Sequence, residues 1–109
     1  MLLHVVPAAA WSADPGLPYA PASLAAEGFV HCSADEVAAL AVADARYREV
    51  AGPLLALVID ESRLAGEVRW EESRGTLFPH VYGPIEREAV VDVLEVRRDA
   101  DGRARGMAS

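Results

Sequence analysis

The sequence has no lysine. Its ten basic residues are all arginines, set against seventeen acidic residues for a formal net charge of −7. Without lysine, Schiff-base chemistry and a lysine nucleophile are excluded. The acidic balance argues against duplex nucleic acid, whose binding needs many cationic contacts to phosphate. We therefore expect the partner to be a small molecule or a nucleotide.

Cysteine and long membrane-type runs are equally scarce. Cys32 is the only cysteine, which rules out a disulfide within the chain. The N-terminal apolar run, interrupted by His4, is too short to span a bilayer and has no basic residue before it. These features predict a cytoplasmic protein with no membrane partner. The 109 residues, 52% of them hydrophobic, suit one packed domain.

The apolar patterns predict an α+β fold. Aliphatic runs and alternating stretches indicate about five strands, at residues 2–6, 29–32, 54–59, 67–71 and 90–96. One main helix is expected over residues 33–48, where Ser33 and Glu36 have the spacing of a capping box. Residues 7–11 and 22–26 suggest short helical turns. We expect one strongly bent or split sheet in residues 1–101, followed by a loose tail at 102–109.

All three histidines lie in stretches that read as ordered, namely His4, His31 and His80. Histidine exchanges protons near neutral pH, so a pair facing one cleft can serve as general acid and base. The alternative is that each packs in the core with a backbone partner. No metal is expected, because CxxC and HExxH spacings are absent and His31 and Cys32 point to opposite faces of a strand. Cys32 is either a nucleophile beside a helix start or a buried apolar residue.

Acidic and aromatic residues complete the candidate set. Trp70 and Tyr82 flank Glu71 and His80, and we expect them to form the walls of a pocket for a flat ring. The opposing interpretation is that the aromatic residues fill the core and that Glu71 is simply solvated. Ser33, at the predicted helix start, is a candidate for binding an anion.

The ordered set of motifs resembles the DUF952 family of small bacterial proteins. The resemblance covers residues 2 to about 101 and rests on HVVP at 4–7, Trp11, PASL at 21–24, EGFVHCS at 27–33, VRWE at 68–71 and FPHVYGP at 78–84. EGFVHCS and FPHVYGP together are specific, whereas either alone is weak. The differences that stand out are conservative, such as valine where isoleucine is familiar.

The resemblance implies an ADP-ribosyltransferase-like fold, in which two small sheets meet around a cleft that holds NAD. Carried over by position, His4 matches the residue that holds the nicotinamide ribose and His31 matches the second site residue. His80 is the candidate for the third position, and Glu71 is its rival. Tyr19 joins the candidate ligand-binding residues, and Arg69 or Arg74 is the candidate for binding pyrophosphate.

The resemblance favours an NAD-dependent ADP-ribosyltransferase, phosphotransferase or NAD glycohydrolase, with NAD as substrate. Two other functions stay open. One is a non-catalytic module that binds a nucleotide or another small ligand. The other is a histidine acid–base enzyme whose substrate is unrelated to NAD.

Overall fold

The computed structural model describes all 109 residues. Its strands are β1 (Leu2–Pro7), β2 (Val30–His31), β3 (Leu54–Ile59), β4 (Glu67–Ser73), β5 (Thr76–Tyr82), β6 (Val90–Arg98) and β7 (Ala104–Ala108). Its helices are α1 (Ala8–Ser12), α2 (Ala22–Glu27) and α3 (Glu36–Arg46). Short 3-10 turns lie at Glu61–Arg63 and Arg87–Ala89. None of the helices combines the length and apolarity needed to cross a bilayer.

The strands form two antiparallel sheets. The large sheet has the order β1-β3-β6-β7, and the small sheet has the order β2-β5-β4. This arrangement confirms the α+β prediction. The main helix, predicted over residues 33–48, is shorter at both ends.

β3 is central because its residues are apolar on both faces. Leu57 and Ile59 belong to one hydrophobic cluster, which also contains Val30 and Val81 of the small sheet. Leu54 and Ala56 belong to a second cluster with Ala39 and Ala43 of α3. The large sheet therefore carries the small sheet on one face and α3 on the other. An unbroken aliphatic run is the pattern expected of a strand covered on both faces.

A backbone bridge joins the two sheets immediately after β2. The Leu3 N–H donates to the Ser33 carbonyl at 2.9 Å, and the Ser33 N–H donates to the Leu3 carbonyl at 2.7 Å. The prediction that Ser33 caps the helix is therefore wrong, because its backbone is committed to this bridge. The N-cap is Asp35, whose carboxylate accepts from the Ala38 N–H at 2.9 Å.

β5 is a central strand that the sequence patterns did not reveal. The chain reverses between β4 and β5 in a two-residue turn, Arg74-Gly75, with Ser73 paired to Thr76. Proline is rare in a central strand because it has no N–H to donate. Here the Pro79 carbonyl accepts from the Cys32 N–H at 3.0 Å, just where β2 has ended. The N–H that Pro79 lacks would point to the same side as its carbonyl, beyond the end of β2. Its absence therefore removes no hydrogen bond between the paired strands.

The prediction of a loose tail is also wrong, because Ala104–Ala108 forms β7 at the edge of the large sheet. Asp99 and Gly102 form the turn that reverses the chain. Gly102 has a φ of +83°, and a Cβ there would lie 2.3 Å from the Arg48 carbonyl oxygen, so only glycine fits. The Ala104 N–H donates to the Asp44 carboxylate of α3 at 2.7 Å, and Met107 packs on the second cluster.

Truncation tests the role of β7. Removing residues 104–109 exposes Met107's packing site and the edge of β6, so we expect the free energy of unfolding to fall by about 2–4 kcal/mol. Removing Ser109 alone, which is exposed, serves as the control and leaves stability unchanged. Urea unfolding monitored by circular dichroism measures both. Equal stability of the two truncated chains would show that the tail contributes nothing to the fold.

Candidate functional site

One face of the small sheet gathers four of the eight predicted site residues. The register pairs His31 of β2 with His80 of β5, and His80 in turn with Arg69 of β4. Paired residues on antiparallel strands project to the same face, as do residues two positions apart on one strand. Glu71 and Tyr82 therefore lie on this face with the two histidines.

A line of hydrogen bonds connects these side chains. The Glu71 Oε1 atom lies 2.9 Å from His80 Nδ1, and His80 Nε2 lies 3.3 Å from His31 Nδ1. The Tyr82 hydroxyl donates to the same Glu71 oxygen. Hydrogen bonds from Tyr82 and then His80 lower the pKa of Glu71, so its carboxylate stays ionised near neutral pH. The same bond to Glu71 raises the pKa of Tyr82, which keeps its proton.

The ionised carboxylate dictates the proton positions along the line. Glu71 can only accept, so His80 Nδ1 must carry a hydrogen. With His80 Nε2 as the acceptor of the contact between the two imidazoles, His31 Nδ1 donates to it. His31 Nε2 is consequently left with a bare lone pair. This atom is buried and has no hydrogen-bond partner.

His31 is neutral under ordinary conditions. Burial, followed by the charges of Arg46, His80 and His4, lowers the pKa of His31 from 6.5 to about 4. The His31 ring is therefore uncharged throughout the physiological pH range. A buried acceptor without a partner costs about 1–3 kcal/mol, which a donor on a bound ligand would recover.

Aromatic neighbours hold the two imidazoles in place. The Phe29 ring stacks on His80 with centroids 4.0 Å apart and planes 14° apart. The Phe78 ring tilts against His31 at 4.8 Å. The Arg69 guanidinium lies 4.4 Å above the Tyr82 ring. Phe29 and Phe78 were not among the predicted site residues, although both occur inside the two histidine motifs, where an aromatic neighbour was the available signal.

His4 lies apart from the other two histidines. It is buried between the two sheets, where its Nδ1–H donates to the His31 carbonyl at 2.7 Å. Burial lowers the pKa of His4, with the His31 carbonyl opposing that shift. Tyr19 packs beside it at 5.6 Å between centroids and is 6% exposed. The ligand-binding candidates His4 and Tyr19 therefore lie in the core and not on the face that carries His31 and His80.

Three other candidates also fall outside the site. Trp70 projects to the opposite face of β4 from Glu71, so the predicted pair of aromatic walls does not form. Ser33 is buried in the joint between the sheets. Cys32 is buried as well, and burial raises the pKa of its thiol to about 12, so it is not a thiolate nucleophile.

His31 also lines a groove of about 760 Å³ between α3 and the β4–β5 turn. The α3 wall is mostly apolar and exposes Val37 and Ala41, while the opposite wall carries Arg74, Thr76 and Phe78. This volume is in the range of small-ligand sites. His31 therefore connects the hydrogen-bonded line to the wall of this groove.

Fold and site together define a small two-sheet α+β domain with a paired-histidine site supported by a glutamate. The family model described as "Protein of unknown function (DUF952)" matches residues 5–93, and the chain belongs to this family. No curated protein matches the sequence.

Solved structures of protein CC0527 from Caulobacter crescentus are similar to this chain throughout. Its crystal structure is 30% identical with a TM-score of 0.82, and the alignment covers 95% of this chain and 92% of that one. Its solution NMR structure is 31% identical with a TM-score of 0.72, covering 93% and 88%. The likeness extends over the whole domain, including both sheets.

The lowered pKa of His31 predicts how stability depends on pH. Between pH 6.5 and about 4, His31 is protonated in the unfolded chain but not in the folded protein. The free energy of unfolding therefore has its full His31 contribution above this window and falls as the pH drops through it. Because His31 is only half-buried, solvent screening reduces the full conversion, and we expect its contribution to the loss to be about 1–2 kcal/mol at pH 4. Urea unfolding at a series of pH values measures it.

The variant His31→Gln is the comparison, because glutamine keeps a donor for His80 but does not titrate. We expect its stability to change less between pH 7 and 4.5, with a residual slope from buried His4, whose pKa is also lowered. Carboxylates with lowered pKa, such as Glu71, lose their contribution only at still lower pH. Identical pH profiles for the two proteins would show that His31 is not the titrating group.

Proposed function

We propose that this protein is an enzyme that acts on a small molecule or nucleotide, with NAD as the first candidate substrate. The observation that carries the proposal is the Glu71–His80–His31 line, which ends at a histidine that lines the groove and whose buried Nε2 atom has no hydrogen-bond partner. A carboxylate that orients a histidine is the usual support for a general base.

The choice of NAD rests on resemblance. Two small sheets that meet at a joint are in keeping with an ADP-ribosyltransferase-like fold, which the motifs imply. In that fold the nicotinamide bond of NAD is broken, and the ADP-ribosyl group passes to water or another acceptor. The histidine-rich site is similar to that of the branch of the ADP-ribosyltransferase superfamily whose enzymes transfer a phosphate group with the use of NAD. Hydrolysis of NAD is the simplest of these reactions and needs no second substrate.

The chemistry of NAD hydrolysis suits a histidine base. The bond between the ribose C1′ and the nicotinamide nitrogen breaks, and its electron pair leaves with nicotinamide. The oxygen of a water molecule bonds to C1′, and a proton from that water goes to His31 Nε2, a buried atom that ligand binding must first expose. A positioned base also orients the water, which adds to the effect of proton removal.

The two histidines can work as a relay, which removes the difficulty of a weak base. As His31 Nε2 accepts a proton, its Nδ1–H can pass to His80 Nε2 across the 3.3 Å contact. The positive charge then rests on His80, next to the Glu71 carboxylate at 2.9 Å. His31 stays neutral overall, so its low pKa does not limit the pair.

A non-catalytic binding module is the second candidate. It is favoured by the missing partner of His31 Nε2, because a ligand N–H that reaches this atom would satisfy it without any proton transfer. Such a module would bind a nucleotide or a similar ligand without turnover. A histidine enzyme with another substrate would show turnover only on that substrate.

Histidine NMR signals test the binding of NAD. We expect the ring signals of His31 and His80 to shift as NAD is added, because a ligand in the groove contacts His31 and alters its bond to His80. His4 serves as an internal control and should shift less, since its ring lies between the sheets. Unchanged His31 and His80 signals at about 1 mM NAD would reject NAD as ligand. Titrations with ADP-ribose and nicotinamide then identify the half that binds.

A pair of neighbouring variants separates catalysis from binding. Glu71→Gln keeps an acceptor for His80 and Tyr82 but removes the charge that stabilises protonated His80. We expect release of nicotinamide to slow roughly 10²-fold while NAD affinity changes little. Glu72→Gln is the matched control, because Glu72 is exposed on the opposite face of β4 and should retain full activity.

Equal rates for the two variants would remove Glu71 from the mechanism. Binding of NAD without nicotinamide release by the unaltered protein would favour the binding module instead. Urea unfolding of both variants confirms that any loss of rate is not a loss of fold.

A further inference from the structure

The groove beside His31 combines an apolar wall with unpaired positive charge. Along α3 it is lined by Val37, Ala38, Ala41, Val42 and Ala45, and Val37 is 79% exposed. Arg46 lies at the end of this wall, and Arg74 faces it from the β4–β5 turn. A cavity of this kind suits a ligand with one flat or apolar part and one anionic part.

Most arginines of this protein are engaged elsewhere, whereas these two are free. Arg87 and Arg98 donate to backbone carbonyls, and Arg105 pairs with Asp99. Arg46 and Arg74 form neither a hydrogen bond nor an ion pair. Only two other arginine side chains lack partners, Arg97 and Arg103, and neither lines this groove.

The groove has local positive charge, although the protein as a whole is acidic. Asp35 is its only acidic lining residue, and one of its oxygens already accepts from the Ala38 N–H at 2.9 Å. After burial, the Arg46 charge is the largest cause that lowers the pKa of His31, so that charge reaches the histidine. Two arginines against one carboxylate leave the groove net positive.

Arg74 occupies a backbone position that is unusual for its residue type. It has a φ of +51° and is followed by Gly75 at +82°, as in a tight hairpin turn with two left-handed residues. Asparagine, aspartate or glycine is preferred at the first of these positions. An arginine there incurs local strain of order 1 kcal/mol and holds a cation at the mouth of the groove.

We infer that this groove binds a phosphate group, with Arg46 and Arg74 as its cationic ligands and the α3 wall against the rest of a nucleotide. This inference rests on the proposed function for the identity of the reacting group but not for the anion site itself. Arginine is suited to this role because its fork of donors matches the geometry of phosphate oxygens. The ligand class is a nucleoside phosphate or diphosphate that places its reacting end beside His31.

The test compares ADP-ribose with adenosine by isothermal titration calorimetry. We expect ADP-ribose to bind and adenosine to bind much more weakly, because adenosine has no phosphate. Arg46→Gln and Arg74→Asn should each weaken ADP-ribose binding about 5- to 10-fold through loss of a charged contact. Asparagine suits the left-handed turn position better than arginine, so Arg74→Asn should not destabilise the fold.

Arg103→Gln is the matched control, since it removes the same charge outside the groove and should leave the affinity unchanged. If all three variants weakened binding equally, the attraction would come from the overall charge of the protein. That result would overturn the anion site. Absence of ADP-ribose binding, or affinity insensitive to Arg46→Gln and Arg74→Asn, would overturn it as well.

The anion site and the proposed function can fail separately. If ADP-ribose binding depends on Arg46 and Arg74 but NAD is neither bound nor turned over, the anion site stands and the proposed function falls. If NAD is turned over with a KM that Arg46→Gln and Arg74→Asn leave unchanged, the proposed function stands and the anion site falls.

Discussion

The antiparallel pairing of His31 with His80 is the contact on which both the site and the joint between the sheets depend. β2 has only two residues, yet its backbone connects β5 on one side to β1 through the next bridge, Ser33 with Leu3. The His31 carbonyl also accepts the proton of buried His4 at 2.7 Å. The same short stretch therefore holds the sheets together and turns two imidazoles toward each other. The histidines differ in their bonding: His4 is buried with a backbone partner, whereas His31 bonds to His80 and leaves its buried Nε2 atom without a partner.

Sequence patterns predicted those parts of the fold whose local chemistry agrees with their environment. The aliphatic run of β3 and the alternation of β4 and β6 identified these strands because side-chain period follows burial. β5 was missed because Pro79 argues against a central strand, and only the ending of β2 removes that objection. β7 was missed because the polar turn at Asp99–Gly102 and the small residues after it have no apolar period. The helix start was misplaced because the Ser33 and Glu36 spacing fits a capping box, and tertiary pairing of Ser33 overrides it.

The types of residue in the site could be predicted from the sequence, but which individual residues belong to it could not. His31, His80, Glu71 and Tyr82 occur in the recognisable motifs, and the register of three strands brings them to one face. Trp70 neighbours Glu71 in the sequence but lies on the other face, as strand alternation requires. His4 was grouped with the other histidines by analogy, and only the three-dimensional arrangement separates them. The groove involves α3 and a hairpin turn that are distant in sequence, so Arg46 carried no signal at all.

The net charge of the whole protein and the local charge of the groove affect ligands of different size. Screening limits the reach of a surface charge to about 8–10 Å at physiological salt. A long polyanion must pass over the acidic surface that gives this protein its net charge of −7, and it is repelled there. A single nucleotide fits within the reach of Arg46 and Arg74 and feels chiefly their attraction. The acidic surface therefore does not oppose a phosphate ligand but restricts its size. If the proposed anion site binds a nucleotide, this arrangement would favour a small, free nucleotide over one embedded in a nucleic acid chain.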